Sequence, residues 1–261
     1  MNAIRLESSV IPSLRRPVMV LAFSGWGDAG EAASAAVRHL ARQFAASKFA
    51  HIDPEEFYDF TVMRPQVRLA GGVTRELLWV SNDFSAAVVP GAEHDLILGL
   101  GPEPHLRWRA FCDNVIDLAR RCDTQMIVTL GGFLSEVLYS RPIEVSGFST
   151  DESLIERLDL VPSRYEGPTG IVGVLGDACR RENLPTASLW AALPHYISAA
   201  PNPRAVLAVL LRLRALLDLP IELSEIEREA AAFEKRVNEA IEADPKLAAY
   251  VRELKKREFA H

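Results

Sequence analysis

Residues 17–30 read PVMVLAFSGWGDAG, and this stretch decides the fold class. Pro17 to Phe23 is a continuous apolar run without polar alternation, the pattern of a strand buried on both faces. Ser24-Gly25-Trp26-Gly27 is a turn. A helix follows from about Ala29 to Gln43, with Ala32, Ala33, Ala36, Val37, Leu40 and Phe44 at helical spacing. Asp28 and Glu31 have the D-x-x-E spacing of a capping box, with Asp28 as N-cap.

The same rhythm returns along the chain. His94 to Leu100 (HDLILGL) reads as a buried strand, and Pro104 at a first helical position opens a helix from about His105 to Arg121. Gln125 to Leu130 (QMIVTL) is another buried strand, ending in Gly131-Gly132. A weaker strand spans about Ile143 to Gly147, and Ser149 with Glu152 caps a short helix. Thr169 caps a helix through about Arg181, Thr186 to Leu193 (TASLWAAL) is a strand, and Arg204 to Leu217 is a helix. Repeated strand–helix units predict an α/β fold, a mostly parallel sheet flanked by helices on both faces.

Two segments depart from that rhythm. Phe57-Tyr58-Asp59-Phe60 and Val67-Arg68-Leu69 read as short strands, Gly71-Gly72 as a hairpin turn, and Arg75 to Val80 as the returning strand. This predicts an antiparallel hairpin excursion from the main sheet. From Ile221 the strands stop. Ser224 and Glu227 have capping-box spacing before a charged amphipathic helix to about Ala243, and Asp244-Pro245 starts a last helix to about Glu258. Ile226, Ala230, Phe233, Val237 and Ile241 make one stripe that must be buried. The domain reading is an α/β core domain at 1–220. A C-terminal helical extension, 221–261, packs on that core or on a neighbouring subunit.

Composition sets the outer limits. The 261 residues are 49% hydrophobic and 25% charged, which excludes disorder and a disulfide scaffold. Lys+Arg 29 against Asp+Glu 35 gives a net charge of -6 with no basic stripe, which argues against nucleic acid as partner. Three cysteines in a chain this long predict a reducing compartment. The N-terminus lacks an apolar signal core, and the uncharged run Asn183 to Pro203 carries Pro185, Pro194, Pro201 and Pro203, unlike a membrane span. A soluble cytoplasmic protein with no membrane partner is expected.

The motifs each have a structural and a chemical reading. Gly25, Gly27 and Gly30 fit the bare G-x-G-x-x-G pattern. Trp26 and Asp28 stand where a phosphate would approach, and no acidic residue follows at a strand end some 20 residues on, so dinucleotide binding is disfavoured. Trp26 in a glycine-flanked loop beyond a strand's carboxyl end lies where open α/β sheets place ligands. Glu103 could act as general acid or base with Arg107 or Arg109 clamping an anion, or could form an ion pair on the first helical turn. Arg141, held extended before Pro142, could bind a carboxylate or pair with Glu136 or Glu144. Tyr165-Glu166-Gly167-Pro168-Thr169-Gly170 is a helix entry whose amides could hold an anion or simply be capped by Thr169. His195, followed by Tyr196, closes a strand and is the best proton-transfer candidate, against a hydrogen-bonded structural role. No H-E-x-x-H, C-x-x-C, G-x-S-x-G or G-x-x-x-x-G-K-[ST] occurs, so neither a metal nor a cofactor is expected.

Taken together, the ordered set is specific. It comprises Phe23 to Gly30, Phe57-Tyr58-Asp59-Phe60 with Arg64-Pro65, and Glu103-Pro104 with Arg107-Trp108. Thr129-Leu130-Gly131-Gly132, Arg141-Pro142, Tyr165 to Gly170, Leu189-Trp190, Pro194-His195-Tyr196 and Pro201-Asn202-Pro203 complete it. Over roughly residues 16–255 it resembles the bacterial, actinobacterial-like branch of the proteasome assembly chaperone family, type two. The resemblance implies a fold similar to nucleoside phosphorylases and related hydrolases and a homo-oligomer, a trimer in bacterial members. It also implies proteasome subunits as partners, since relatives help proteasome α-subunits assemble. Relatives that dock by their tails have a penultimate tyrosine. This sequence reads Phe259-Ala260-His261, so tail docking is not expected. The leading expectation is a non-enzymatic oligomeric chaperone or scaffold with Trp26, Asp28, Arg107, Arg141, Tyr165, Thr169 and Tyr196 in its binding surface. The alternative is an enzyme acting on a small anionic substrate through Glu103 and His195.

Overall fold

The central strands are apolar on both faces, and this places them in the middle of a sheet covered twice. In the computed structural model, which describes residues 3–7, 11–72, 74–157, 160–162 and 165–258, the chain begins with β1 (Ile4–Leu6), β2 (Val18–Ser24), α1 (Ala32–Gln43) and β3 (Ser47–Ile52). Next come β4 (Gln66–Ala70), β5 (Thr74–Leu78), β6 (Asn82–Ala87), β7 (Leu96–Pro102) and α2 (Trp108–Arg121). Then follow β8 (Met126–Ser135), β9 (Val145–Ser149), α3 (Glu152–Arg157), β10 (Val161–Pro162), α4 (Ile171–Arg181), β11 (Thr186–Pro194), α5 (Pro203–Leu217), α6 (Ser224–Ala243) and α7 (Pro245–Glu258). The Phe259-Ala260-His261 tail lies outside the described residues.

Among the described residues nine strands form one sheet in the order β1-β3-β6-β7-β2-β8-β11-β9-β10. The middle four, β7-β2-β8-β11, are parallel. Both flanks turn antiparallel, through β6, β3 and β1 on one side and β9 on the other. In β2, Val18, Val20 and Ala22 pack under α1 and α5, while Met19, Leu21 and Phe23 pack under α2 and α4. Strict alternation within an all-apolar strand thus feeds two separate cores. Among the described residues β4 and β5 pair only with each other, with Gly71 and Gly72 at positive φ in their connection, so the expected hairpin excursion is present.

Several local expectations are corrected. Phe57 to Phe60 is a turn, because Phe57 and Tyr58 are buried as anchors. The Asp59 carboxylate accepts from the Thr61 amide at 2.8 Å and hydroxyl at 2.6 Å. Helix α2 starts at Trp108, not His105. Arg107 is left-handed, and the amides of His105 and Leu106 donate back to the Phe57 carbonyl. The strand expected at 94–100 lies at 96–102, and the one at 143–147 lies at 145–149, antiparallel to β11. Ser224 is the first helical residue and its hydroxyl donates to Glu222, so the capping box with Glu227 does not form.

The C-terminal helices pack on their own chain. Ile221, Leu223 and Ile226 join the core under α5. Ile241 of α6 and Val251 and Leu254 of α7 close over Leu138 and Tyr139, which follow β8.

Candidate functional site

Four parallel strands end at one edge of the sheet, and their loops are tied together by backbone bonds. The Glu103 amide donates to the Ser24 carbonyl at 2.9 Å, Gly132 N–H to the Gly27 carbonyl at 2.8 Å, and Asn202 N–H to the Gly30 carbonyl at 2.8 Å. Trp26 stands on this edge 63% exposed. Glu103 and Trp26 flank Gly170, where an added Cβ would meet the Glu103 carboxylate at 2.6 Å and the Trp26 ring at 3.2 Å. Trp26, Glu103 and Gly170 therefore form one cluster, with Tyr165 exposed nearby in sequence and donating its hydroxyl to the Pro168 carbonyl at 2.9 Å.

Helix N-termini at such an edge ordinarily offer free amides to an anion. Here three of them are filled from within. The Asp28 carboxylate accepts from Ala33 N–H at 2.9 Å and Ser34 N–H at 3.2 Å, capping α1; Glu31 instead pairs with Arg38, so the expected box with Glu31 does not form. The Glu103 carboxylate accepts from Ile171 N–H at 2.7 Å and caps α4, the place expected for Thr169, whose side chain makes no capping bond. Asn202 accepts from Arg204 N–H at 3.1 Å and Ala205 N–H at 3.3 Å and caps α5. A carboxylate at a helix N-terminus is held by both hydrogen bonds and the helix dipole.

Asp28 is also buried, and its second carboxylate oxygen has no hydrogen-bond partner. Burial raises its pKa above 3.8, despite the amides that favour the charged form. The folded state then holds the proton more tightly than the unfolded chain, so this group's contribution falls as pH rises from about 3.8 through its raised folded value. Asp28→Asn keeps the cap oxygen and removes the charge. Its urea midpoint relative to the wild type is expected to improve as pH rises through that window and then level off. A difference that is constant from pH 3.5 to 7 would refute the assignment.

His195 belongs to a second cluster. Its Nδ1 lies 3.2 Å from the Ser135 carbonyl, which can only accept, so Nε2 is left to accept from the Tyr250 hydroxyl at 3.3 Å. The rings of His195, Tyr196 and Tyr250 meet edge to face, with centroids 5.5 to 5.6 Å apart. The Tyr196 hydroxyl accepts from Tyr139 N–H at 2.8 Å and donates to the Val137 carbonyl at 3.1 Å. This corner fastens α7 to the ends of β8 and β11. Among the described residues no hydrogen bond or ring contact joins it to the Trp26 cluster.

The remaining candidates are scattered. Arg107 pairs with Glu56. Arg141 is exposed beside a cavity of about 330 Å³ lined by Glu136, Leu138, Pro142, Ile143 and Leu254. Two larger cavities, of about 590 and 640 Å³, lie along α1 and between α5 and α6; Trp26, Glu103 and His195 line none of the three. Around the Trp26 cluster the edge instead exposes Leu106, Phe133 and Leu134. For Phe133 and Leu134 the sequence signal is that the apolar run of β8 continues past the Gly131-Gly132 pair, at which the strand was expected to stop.

Burial pushes the thiols of Cys112 and Cys179 up to about 12 and that of Cys122 up to about 11. None is expected to react with an aromatic disulfide reagent at pH 8 in the native protein, and all three after unfolding; rapid native labelling would contradict this. Among the described residues no group of three metal-ligating side chains occurs, and no helix is long and apolar enough to cross a membrane.

Comparison with known proteins gives a consistent result. A PAC2 family pattern matches residues 22–241. A PAC2 family protein from Streptomyces avermitilis is 46% identical over 90% of this chain and 99% of its own, with a TM-score of 0.83. A proteasome-assembly chaperone homologue from Mycobacterium tuberculosis is 41% identical over 90% and 99%, with a TM-score of 0.82. An archaeal proteasome activator from Pyrococcus furiosus, 21% identical over 92% and 99%, shares the fold at a TM-score of 0.70. No curated protein matches. The mixed sheet with a parallel centre, the ordered motifs and nearly full-length coverage agree: this chain belongs to the PAC2 family.

Proposed function

We propose that this protein is a non-enzymatic, oligomeric chaperone or scaffold, and that the carboxyl edge of its sheet is a protein-contact surface. One observation carries the reading. The helix N-termini where an open α/β sheet would hold an anionic substrate are occupied by the chain's own Asp28, Glu103 and Asn202. Trp26, Leu106, Phe133 and Leu134 are exposed at the same edge. Such a surface suits a protein and not a small anion.

The identity to the mycobacterial proteasome-assembly chaperone homologue supports proteasome subunits as partners, and the three free, buried thiols suit the reducing cytoplasm. The assembly state we propose is a trimer. Light scattering at micromolar concentration tests it, with a mass near three chains of 28.8 kDa expected and a single-chain mass overturning it. Purified α-subunits of the host proteasome test the partner. Capture of those subunits by the immobilised protein is expected. Absence of capture, together with a melting shift caused by millimolar phosphate but not by chloride, would favour a small-anion enzyme.

A further inference from the structure

Glu103 is half-buried at the carboxyl edge, and among the described residues it forms no ion pair. The arginine nearest to it in sequence, Arg107, is taken by Glu56. Its Oε1 accepts from the Ile171 amide at 2.7 Å. Its Oε2 has no hydrogen-bond partner among the described residues and is open to solvent. Glycines bring an aromatic ring up to this carboxylate. A Cβ at Gly25 would touch the Glu103 Cβ at 3.6 Å. One at Gly170 would stand 2.6 Å from Glu103 Oε1 and 3.2 Å from the Trp26 ring, so only glycine lets carboxylate and indole close on the same turn. Exposed Tyr165 is held over Gly167, where a Cβ would meet its hydroxyl at 2.7 Å.

A carboxylate beside open aromatic faces is the chemistry that receives a cation, because the ring quadrupole and the carboxylate attract the same charge. The N-terminus of α4 opposes a cation with about half a positive charge, and Glu103 alone outweighs it. Exposed Glu166, four residues before Gly170, adds to the negative side. With Oε1 held by the Ile171 amide, one oxygen faces outward. That suits the point charge of an ammonium better than the two-pronged fork of a guanidinium. The net charge of -6 favours the approach of a basic segment. Neither Trp26 nor Glu103 lines any of the three cavities, so a free amine would find no enclosure here; a side chain carried by a protein needs none.

We propose that the Trp26–Glu103 pair receives a lysine side chain of a partner protein, its ammonium on Glu103 Oε2 and its aliphatic stem along the Trp26 ring. The proposal rests on the reading of the carboxyl edge as a protein-contact surface and names the partner's anchoring group.

A tethered amine tests the site without the partner. Thr169 is exposed and its side chain makes no capping bond, so Thr169→Cys sets a thiol next to Gly170, while the native thiols are buried. Circular dichroism checks the fold. The variant is equilibrated with equal amounts of cysteamine and mercaptoethanol, and mass spectrometry counts the two mixed disulfides. Relative to the same exchange on a short cysteine peptide, the aminoethyl form is expected to be favoured about 10-fold. Adding Glu103→Gln, which keeps an oxygen for the Ile171 amide, should cut the preference to about 2-fold or less. Trp26→Leu should do the same, and Trp26→Phe should keep most of it, since an aromatic face remains. No preference, or one unchanged by Glu103→Gln, would overturn the proposal. A stronger preference for a guanidinoethyl disulfide would replace lysine by arginine. Capture of host α-subunits separates this from the functional reading: it is expected to weaken in Glu103→Gln. Undiminished capture by that variant would overturn the lysine anchor and leave the contact surface standing. A favoured amine with no capture by the wild type would leave the cation site standing and overturn the proteasome reading.

Discussion

Phe111→Ala should lower the melting temperature by about 10 °C. Phe111 is fully buried on α2 and meets Phe23 and Phe57 edge to face, with centroids at 5.9 and 5.4 Å. It joins the central strand β2 to the turn that precedes the β4–β5 hairpin. Truncating a buried phenylalanine costs about 3–5 kcal/mol, the lost transfer energy plus the cavity left behind. Each kcal/mol is worth roughly 2–4 °C in a chain of this size. Scanning calorimetry checks it, with Phe111→Leu expected to fall by less than half as much because most of the volume stays. A loss under about 2 °C for the alanine variant would mean that the three rings do not pack as described.

Gly132→Val should cost about 3 kcal/mol and should disturb the Trp26 loop before the rest of the fold. A Cβ at Gly132 would stand 2.7 Å from the Ala29 carbonyl oxygen and 3.3 Å from the Ala32 Cβ. The first of these is backbone, so no side chain can rotate away. Overpacking of this kind costs about 1–3 kcal/mol, and displacing the strand also threatens the Gly132 N–H bond to the Gly27 carbonyl, worth about 1 kcal/mol. Gly72→Ala is the control: nothing lies within 4 Å of its Cβ, so only the positive-φ backbone is strained. Urea unfolding compares the two, and limited proteolysis reports on residues 24–30. A loss at Gly132 no larger than that of the control would show that the contact with Ala29 is relieved without cost.

Self-capping at the carboxyl edge links these results to function. Glu103, the candidate acid or base of the enzyme alternative, accepts from the Ile171 amide. Asp28 is committed in the same way to Ala33 and Ser34. In both, the amides at the helix N-terminus are already occupied by a carboxylate of the chain itself.

The sequence alone determined the parallel centre of the sheet, because β2, β7, β8 and β11 are buried on both faces and so are almost wholly apolar, with buried Thr129, Thr186 and Ser188 satisfied by hydrogen bonds. It determined the helices that cover them, through 3.6-residue periodicity, and the family, through motifs whose order survives in one dimension. It also marked Asp28 as a cap, since that bond is made within six residues. The antiparallel flank was not legible. β3 and β6 (SKFAHI and NDFSAA) mix polar and apolar residues, since one of their faces lies outside the helical cover, and β1 has only three residues. The cap on α4 was assigned to the adjacent Thr169, but Glu103 supplies it from 68 residues away. The partner of the His195 ring nitrogen, Tyr250, lies 55 residues on. Local pattern records whether a side chain is buried. Which distant partner fills its hydrogen bonds is decided only when the loops of four separate strands arrive at the same edge.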